Sequence, residues 1–366
     1  PGGITLDAKG QLGHRNFDAG WVDPTDTADY SRAHLHGRDA IWNHGPFTTD
    51  NRYVGLAHMI GVREGRLIAG DARVDFEDFL AGRSWPDAVA DTRAHYDNHS
   101  LDLAQESRWA RRWCAVMGQW KFLQTGQLPY AALVPAEVDN VLVACRALSV
   151  THDLHQLLRM QKDLFRLGEA CGIAAALAVR AGTTPRALDA SVLAARLDEA
   201  GLRPHQPPQP ATTDDTADLA SRVGTDGLAM WALVHRGSSS VAPLTDVLAS
   251  SDDEATRIGA ALTLGMLGDA AGADLLLRAV TDRDERFLPV EGRTASPLHV
   301  SAALVLGELR DRRATPPITD LLLRPETPML HVLLLLRALQ DLADPDAADA
   351  VRKLLADRAE QADAIP

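Results

Sequence analysis

Three stretches in the last third of the chain repeat one pattern. Residues 260–269 read AALTLGMLGD, residues 302–311 read AALVLGELRD, and residues 334–344 read LLLRALQDLAD. Each is followed by a short break and a second helical segment, at residues 274–280, 317–323 and 347–355. Leu306 lies 42 residues after Leu264, and Leu339 lies 33 after Leu306; an insertion at residues 283–295 accounts for the longer gap. A helix pair of this length cannot bury its apolar face alone and must stack on a neighbour, so the period specifies an all-α solenoid. A weaker unit at residues 227–248 brings the expected total to about four.

These pairs resemble HEAT-like repeats, and they occupy residues 215–366. A Pro-rich segment, RPHQPPQPATTD at residues 203–214, precedes them and reads as a linker. Charge shifts across it: residues 1–202 carry 21 Lys/Arg against 25 Asp/Glu, whereas residues 203–366 carry 16 against 25. The overall charge of -13 argues against nucleic acid or an anionic membrane surface as partner. No run of about 18 apolar residues marks a membrane span. Cys114, Cys145 and Cys171 have neither the spacing of a metal site nor the even number of a disulfide framework, which fits a cytoplasmic protein. The chain opens at Pro1-Gly2-Gly3 with neither initiator methionine nor signal peptide, as expected of a C-terminal portion of a longer protein.

The front of the chain mixes strand and helix signals. Residues 32–42 predict a short helix, residues 53–66 a strand-like run, and residues 76–80 another short helix. Trp109, Trp113, Trp120 and Phe122 recur at roughly helical spacing and read as a core stripe. Residues 128–135, LPYAALVP, predict an extended stretch. Residues 140–144, NVLVA, predict a short buried strand, followed by a polar turn and a long apolar helix over about residues 157–181. Strand, turn and a helix rich in small residues form an arrangement that offers backbone N–H groups and a positive dipole to an anionic or electron-rich ligand.

Three blocks resemble the C-terminal portion of the FAD-dependent oxidoreductases related to the flavin-carrying component of heterodisulfide reductase. They are residues 22–42 (VDPTDTADYSRAHLHGRDAIW), residues 60–90 (IGVREGRLIAGDARVDFEDFLAGRSWPDAVA) and residues 128–189, which begin LPYAALVP. The resemblance implies an α/β (α+β) flavoprotein portion. Residues 1–135 would be substrate domain, and residues 136–202 the last strand and helix of a glutathione-reductase-type FAD domain. A helix-rich HEAT-like solenoid would follow. It also implies FAD as cofactor, with Ala144, Cys145 and Arg146 near the pyrophosphate, Thr151 and His152 in the cofactor-facing turn, and Arg159, Met160 and Gln161 near the flavin ring.

Where the family usually reads Ala-Gly-Arg, this chain has Ala144-Cys145-Arg146, and a side chain at Cys145 is expected to crowd the phosphate. Cys145 itself reads as a buried, inert thiol. No G-x-G-x-x-G opens a βαβ unit anywhere in the sequence, so the adenosine half of a cofactor site is missing from it. Arg63 and His99 are the candidates for the substrate side. His95 and His99, with Asp97 between them, have a two-ligand spacing but no third partner, so no metal is expected. Three scattered cysteines do not build an iron–sulfur cluster.

Two functions follow as expectations. In the first, the chain moves a hydride or electron pair between flavin and a small organic substrate. In the second, the flavin module is degenerate and the repeats recruit a protein partner through their concave face.

Overall fold

The computed structural model describes residues 2–6, 12–16, 22–23, 25–43, 52–56, 64–98, 102–202, 214–290 and 296–363. The chain divides into two compact units, residues 1–65 with 99–101 and residues 66–98 with 102–366.

In the first unit, β1 (Gly2–Leu6) lies between β2 (Leu12–Asn16) and β3 (Arg52–Leu56), antiparallel to both. The helix expected at residues 32–42 is α1 (Thr27–Asn43). It starts earlier because the Asp26 carboxylate accepts the Ala28 N–H at 2.9 Å, satisfying one of the donors a helix start leaves open. The strand-like reading of residues 53–66 begins in β3; residues 57–63 lie outside the described residues.

The second unit opens with α2 (Phe76–Leu80), capped by Asp75, whose carboxylate accepts the Asp78 N–H at 2.7 Å. β4 (Ala88–Ala94) pairs antiparallel with β5 (Gln124–Pro129). Gly126 in β5 has no alternative residue, because a Cβ there would overlap the Phe79 ring. Between the strands run α3 (Arg108–Arg111) and a π-turn, Arg112–Val116. The stripe of aromatics is core: Trp113 is buried against Phe76 and Phe122, with ring centroids 6.5 and 5.9 Å away.

After β5 the chain continues through α4 (His152–Leu158), α5 (Gln161–Ala181) and α6 (Ala190–Glu199). Three expectations are corrected here. Residues 128–135 are extended only to Pro129, then coil into a 3-10 turn at Tyr130–Leu133. The strand at residues 140–144 does not form. Asn140 turns the chain at φ 60, Val141 is 42% exposed, and the backbone bond of this stretch runs from the Val143 N–H to the Leu133 carbonyl at 2.9 Å. An apolar run becomes a strand only where a neighbour accepts its ladder, and no described strand lies beside this one.

The long helix is also two helices. Met160 sits in extended conformation (φ -73, ψ 144), which ends α4 and restarts the chain as α5. α5 ends at Gly182, whose left-handed φ of 63 suits glycine.

The helical array comprises α7 (Thr216–Arg222), α8 (Gly227–Arg236), α9 (Val241–Ser250), α10 (Glu254–Met266), α11 (Ala273–Thr281), α12 (Leu298–Leu309), α13 (Thr315–Leu322), α14 (Met329–Leu342) and α15 (Ala348–Asp363). Of the Pro-rich stretch, residues 203–213 lie outside the described residues. Aspartate caps α7, α8 and α10 through Asp215, Asp226 and Asp253. The equivalent glycines of the repeat, Gly265 and Gly307, sit where α10 meets Val305 of α12 and where α12 meets the backbone of Ala338 in α14. Lacking side chains, they let successive helices approach closely.

α8, α10, α12 and α14 form one row, and its surface is filled by residues 109–119 of the same unit. Trp231 of α8 meets Trp109 and Trp113 edge-on, at 5.3 and 6.2 Å. The Arg112 guanidinium donates to the Met266 carbonyl of α10 at 2.8 Å and, through Nε, to Glu308 of α12 at 2.9 Å. Ser301 of α12 donates its hydroxyl to the Ala115 carbonyl at 2.9 Å. The repeats are therefore packed into the flavoprotein-like portion.

Candidate functional site

A polar cluster lies at the start of α4, among residues that are otherwise core. Glu106 follows the 3-10 turn Asp102–Gln105, and its carboxylate is fully buried. His152, the first residue of α4, places Nε2 3.1 Å from Glu106 Oε1 while 44% of its side chain stays exposed. Asn98 donates to the same carboxylate oxygen at 3.2 Å. Burial, reinforced by the charges of Glu106 and Asp153, keeps the Tyr96 hydroxyl protonated well above the ordinary phenol range. Burial also pushes the Cys114 thiol well up, with Glu106 and Asp153 adding to the effect, so Cys114 is not a thiolate. The cluster thus links a surface imidazole to a buried carboxylate.

The next turn of chain carries cationic groups. The Arg159 guanidinium, itself buried, donates to the Asp97 carbonyl at 2.6 Å and to its carboxylate at 3.1 Å. Arg146 Nε donates to the Arg159 carbonyl at 3.2 Å, tying the turn at residues 144–146 to the end of α4. α5 then begins at Gln161, exposed, with no side chain capping its first amides. Asp163, in that first turn, points inward. Burial lifts its carboxyl to about 6, although Thr92, Lys162 and Arg166 pull the other way.

The structure joins Arg146 to Arg159 at the end of α4, with Met160 and Gln161 next in the chain, whereas Thr151 and His152 lie at the opposite end of that helix; Ala144 and Cys145 precede Arg146. Cys145 is exposed, which corrects the expectation of a buried thiol. The reason is the missing strand: without a ladder, residues 141–146 run along the surface. Arg63 and His99 lie outside the described residues. No helix runs through residues 95–98, which belong to no regular element, and Asp97 is engaged by Arg159. Among the described residues no group of three or more His, Cys, Asp or Glu is placed to hold a metal ion. Nor does any described helix have the length and apolarity to cross a membrane.

Sequence reasoning missed Glu106 altogether. A single acidic residue before Ser107 looks like a helix-start carboxylate. Its burial depends on Asn98 and His152, which are remote or unremarkable in sequence.

A mixed portion of strands and helices is joined here to an array of helix pairs. The sequence pattern of the family described as FAD dependent oxidoreductase matches residues 6–197, and that described as PBS lyase HEAT-like repeat matches residues 298–324. The chain belongs to the FAD dependent oxidoreductase family, and its cofactor is FAD. No curated protein and no solved structure matches it.

The donor set at residues 144–161 suits that cofactor on one side. Arg146 offers positive charge, and the uncapped start of α5 offers backbone N–H groups, which together favour a pyrophosphate or the electron-rich edge of a flavin. A shallow groove lined by Pro86, Asp87, Ala190 and Ala194 shares no residue with this donor set.

Proposed function

We propose that this chain is an oxidoreductase of the heterodisulfide-reductase-like flavin family that transfers a hydride or electron pair between FAD and a small organic substrate. In this reading residues 136–202 close the cofactor site, residues 1–135 line the substrate side with Arg63 and His99, and residues 215–366 form the HEAT-like array. The complete site also uses a G-x-G-x-x-G unit that these 366 residues do not contain. Three unbridged thiols support a cytoplasmic setting.

The observation that carries the reading is the His152–Glu106 pair, a part-exposed imidazole 3.1 Å from a fully buried carboxylate. FAD, when bound, accepts or donates the hydride. Removing a hydride from a C–H bond next to O–H or N–H also releases a proton, which needs an acceptor in reach. His152 supplies an imidazole that is 44% exposed, and the buried Glu106 carboxylate holds the ring in place and stabilises it once it is charged. Arg159 and the first amides of α5 add positive potential on the side where negative charge develops. Arg146, anchored on the Arg159 carbonyl, binds phosphate.

Visible absorption after addition of FAD tests the cofactor part, and bleaching of the flavin band with candidate substrates tests the reaction. His152→Gln should leave the flavin bound and slow bleaching by about 100-fold. A protein that stays colourless with FAD would favour the scaffold reading. That reading places the partner on the concave face of the repeats, yet the row α8, α10, α12 and α14 already packs on residues 109–119.

A further inference from the structure

We propose that Arg111 is a positioning residue for the Glu106–His152 pair, and that the repeat array holds it in place through Asp341. The inference rests on the acid–base reading above and extends it to the C-terminal domain. Arg111 is buried at the end of α3. Its NH1 donates to the backbone carbonyl of Glu106, the residue whose carboxylate meets His152. Its NH2 lies 3.5 Å from Asp341, on α14 of the last described repeat. One guanidinium thus spans the site and the solenoid.

The local fold explains why consecutive arginines serve different repeats. The π-turn Arg112–Val116 closes with a bond from the Met117 N–H to the Arg112 carbonyl at 2.8 Å, inserting one extra residue per turn. Such insertions re-aim side chains and recur at functional sites. Here Arg111 points to α14, while Arg112 points to α10 and α12. α14 also packs on the 3-10 turn Asp102–Gln105, which leads directly into Glu106. The backbone of Glu106 is thereby held by Arg111, and the turn that leads into it packs on α14.

A guanidinium removed from water needs fixed partners, so this connection is rigid or costly. Burial lowers the Arg111 pKa, the nearby Arg337 lowers it further, and Asp341 and Glu308 oppose both. Asp341 is bonded in turn by Arg337, with Nε 3.3 Å from its other oxygen. Loss of Asp341 would leave two arginines facing each other, and Arg111 would no longer be fixed over Glu106.

The test reads the His152 ring by NMR in 15N-histidine-labelled full chain, with His152→Gln to assign the signal. The groups facing the pair are Glu106, Asn98, Tyr96, Cys114 and Asp153, and all are unchanged in the positioning variants. Glu106→Gln should lower the midpoint of the His152 titration by about one pH unit, the effect of losing an opposite charge at contact distance. Arg111→Met and Asp341→Asn should lower it by at least half as much, and Arg111→Lys should recover part of the shift.

If Arg111→Met fails to fold, Asp341→Asn carries the test, because it keeps the Arg111 side chain and removes only the charge that fixes it. A midpoint that moves in Glu106→Gln but stays at the wild-type value in Asp341→Asn overturns the positioning role and leaves the acid–base pair standing. A midpoint unmoved in Glu106→Gln removes the acid–base reading itself, and the positioning role with it.

Discussion

Arg112 meets Glu308 across 196 residues of sequence, with Nε 2.9 Å from Oε2 and both side chains largely buried. The pair joins the π-turn of the flavoprotein portion to the second helix of the α10–α12–α14 row, and the same guanidinium also donates to the Met266 carbonyl at 2.8 Å. Removing one partner strands the other charge away from water. Arg112→Met is therefore expected to cost about 3 kcal/mol, and Glu308→Gln somewhat less. Urea denaturation followed by both circular dichroism and tryptophan fluorescence measures this. Because the contact lies inside one compact unit, the two probes should move together. A repeat domain melting apart from the rest would contradict the packing.

Asp163 gives a prediction with a definite sign. Burial lifts its folded carboxyl from the ordinary 3.8 to about 6. The native state then binds the proton more tightly than the unfolded chain does. Its contribution to stability is fully present below about pH 4 and is lost as the pH rises through about 6. Asp163→Asn removes this dependence, so the gain of the variant over wild type should grow between pH 4 and pH 7, by on the order of 2 kcal/mol. Thermal melts at pH 4.5, 5.5 and 7 decide it. A difference that shrinks with rising pH would mean that Thr92, Lys162 and Arg166 outweigh burial.

Arg146 is half-buried and anchored on the Arg159 carbonyl at 3.2 Å, so it is largely preorganised to meet a phosphate. Losing one charge-assisted bond should weaken FAD about tenfold, or ~1.4 kcal/mol. Titrating FAD by quenching of its fluorescence compares Arg146→Ala with wild type. Equal affinities would place the phosphates elsewhere.

How far the sequence foretells this structure depends on the range of the interaction concerned. The repeats are legible because AALTLGMLGD and AALVLGELRD carry their own burial pattern, down to Gly265 and Gly307 at the close approaches. The aspartate caps of α7, α8 and α10 are local for the same reason. Residues 140–144 mislead because their Val-Leu-Val composition favours a strand, whereas strand formation needs a partner that no local signal supplies. The turn at residues 144–146 is recognisable by resemblance, and Arg146 meets the Arg159 carbonyl at the end of α4. Glu106 and Arg111 are not recognisable at all. One reads as a helix-start acid and the other as half of an exposed Arg-Arg pair, and only the fold puts them beside His152 and Asp341.

Two glycines separate tight packing from open space. Gly227 begins α8 directly against the π-turn, where a Cβ would overlap the Met117 carbonyl oxygen, already bonded by Gln119 Nε2 at 3.0 Å. The backbone oxygen cannot swing away without giving up that bond, so Gly227→Ala must push α8 outward and loosen the Trp113–Trp231 contact. A loss of about 2–3 kcal/mol follows, with red-shifted tryptophan emission as the buried rings meet water. Gly168, in the interior of α5, has nothing within 4 Å of the position its Cβ would take. There the same substitution only removes backbone freedom from the unfolded chain, and Gly168→Ala should stabilise by about 0.5–1 kcal/mol. Opposite signs from two identical changes, measured in the same denaturation series, would confirm that α8 is wedged against the flavoprotein portion. Destabilisation by Gly168→Ala would show instead that the exposed face of α5 is covered in solution.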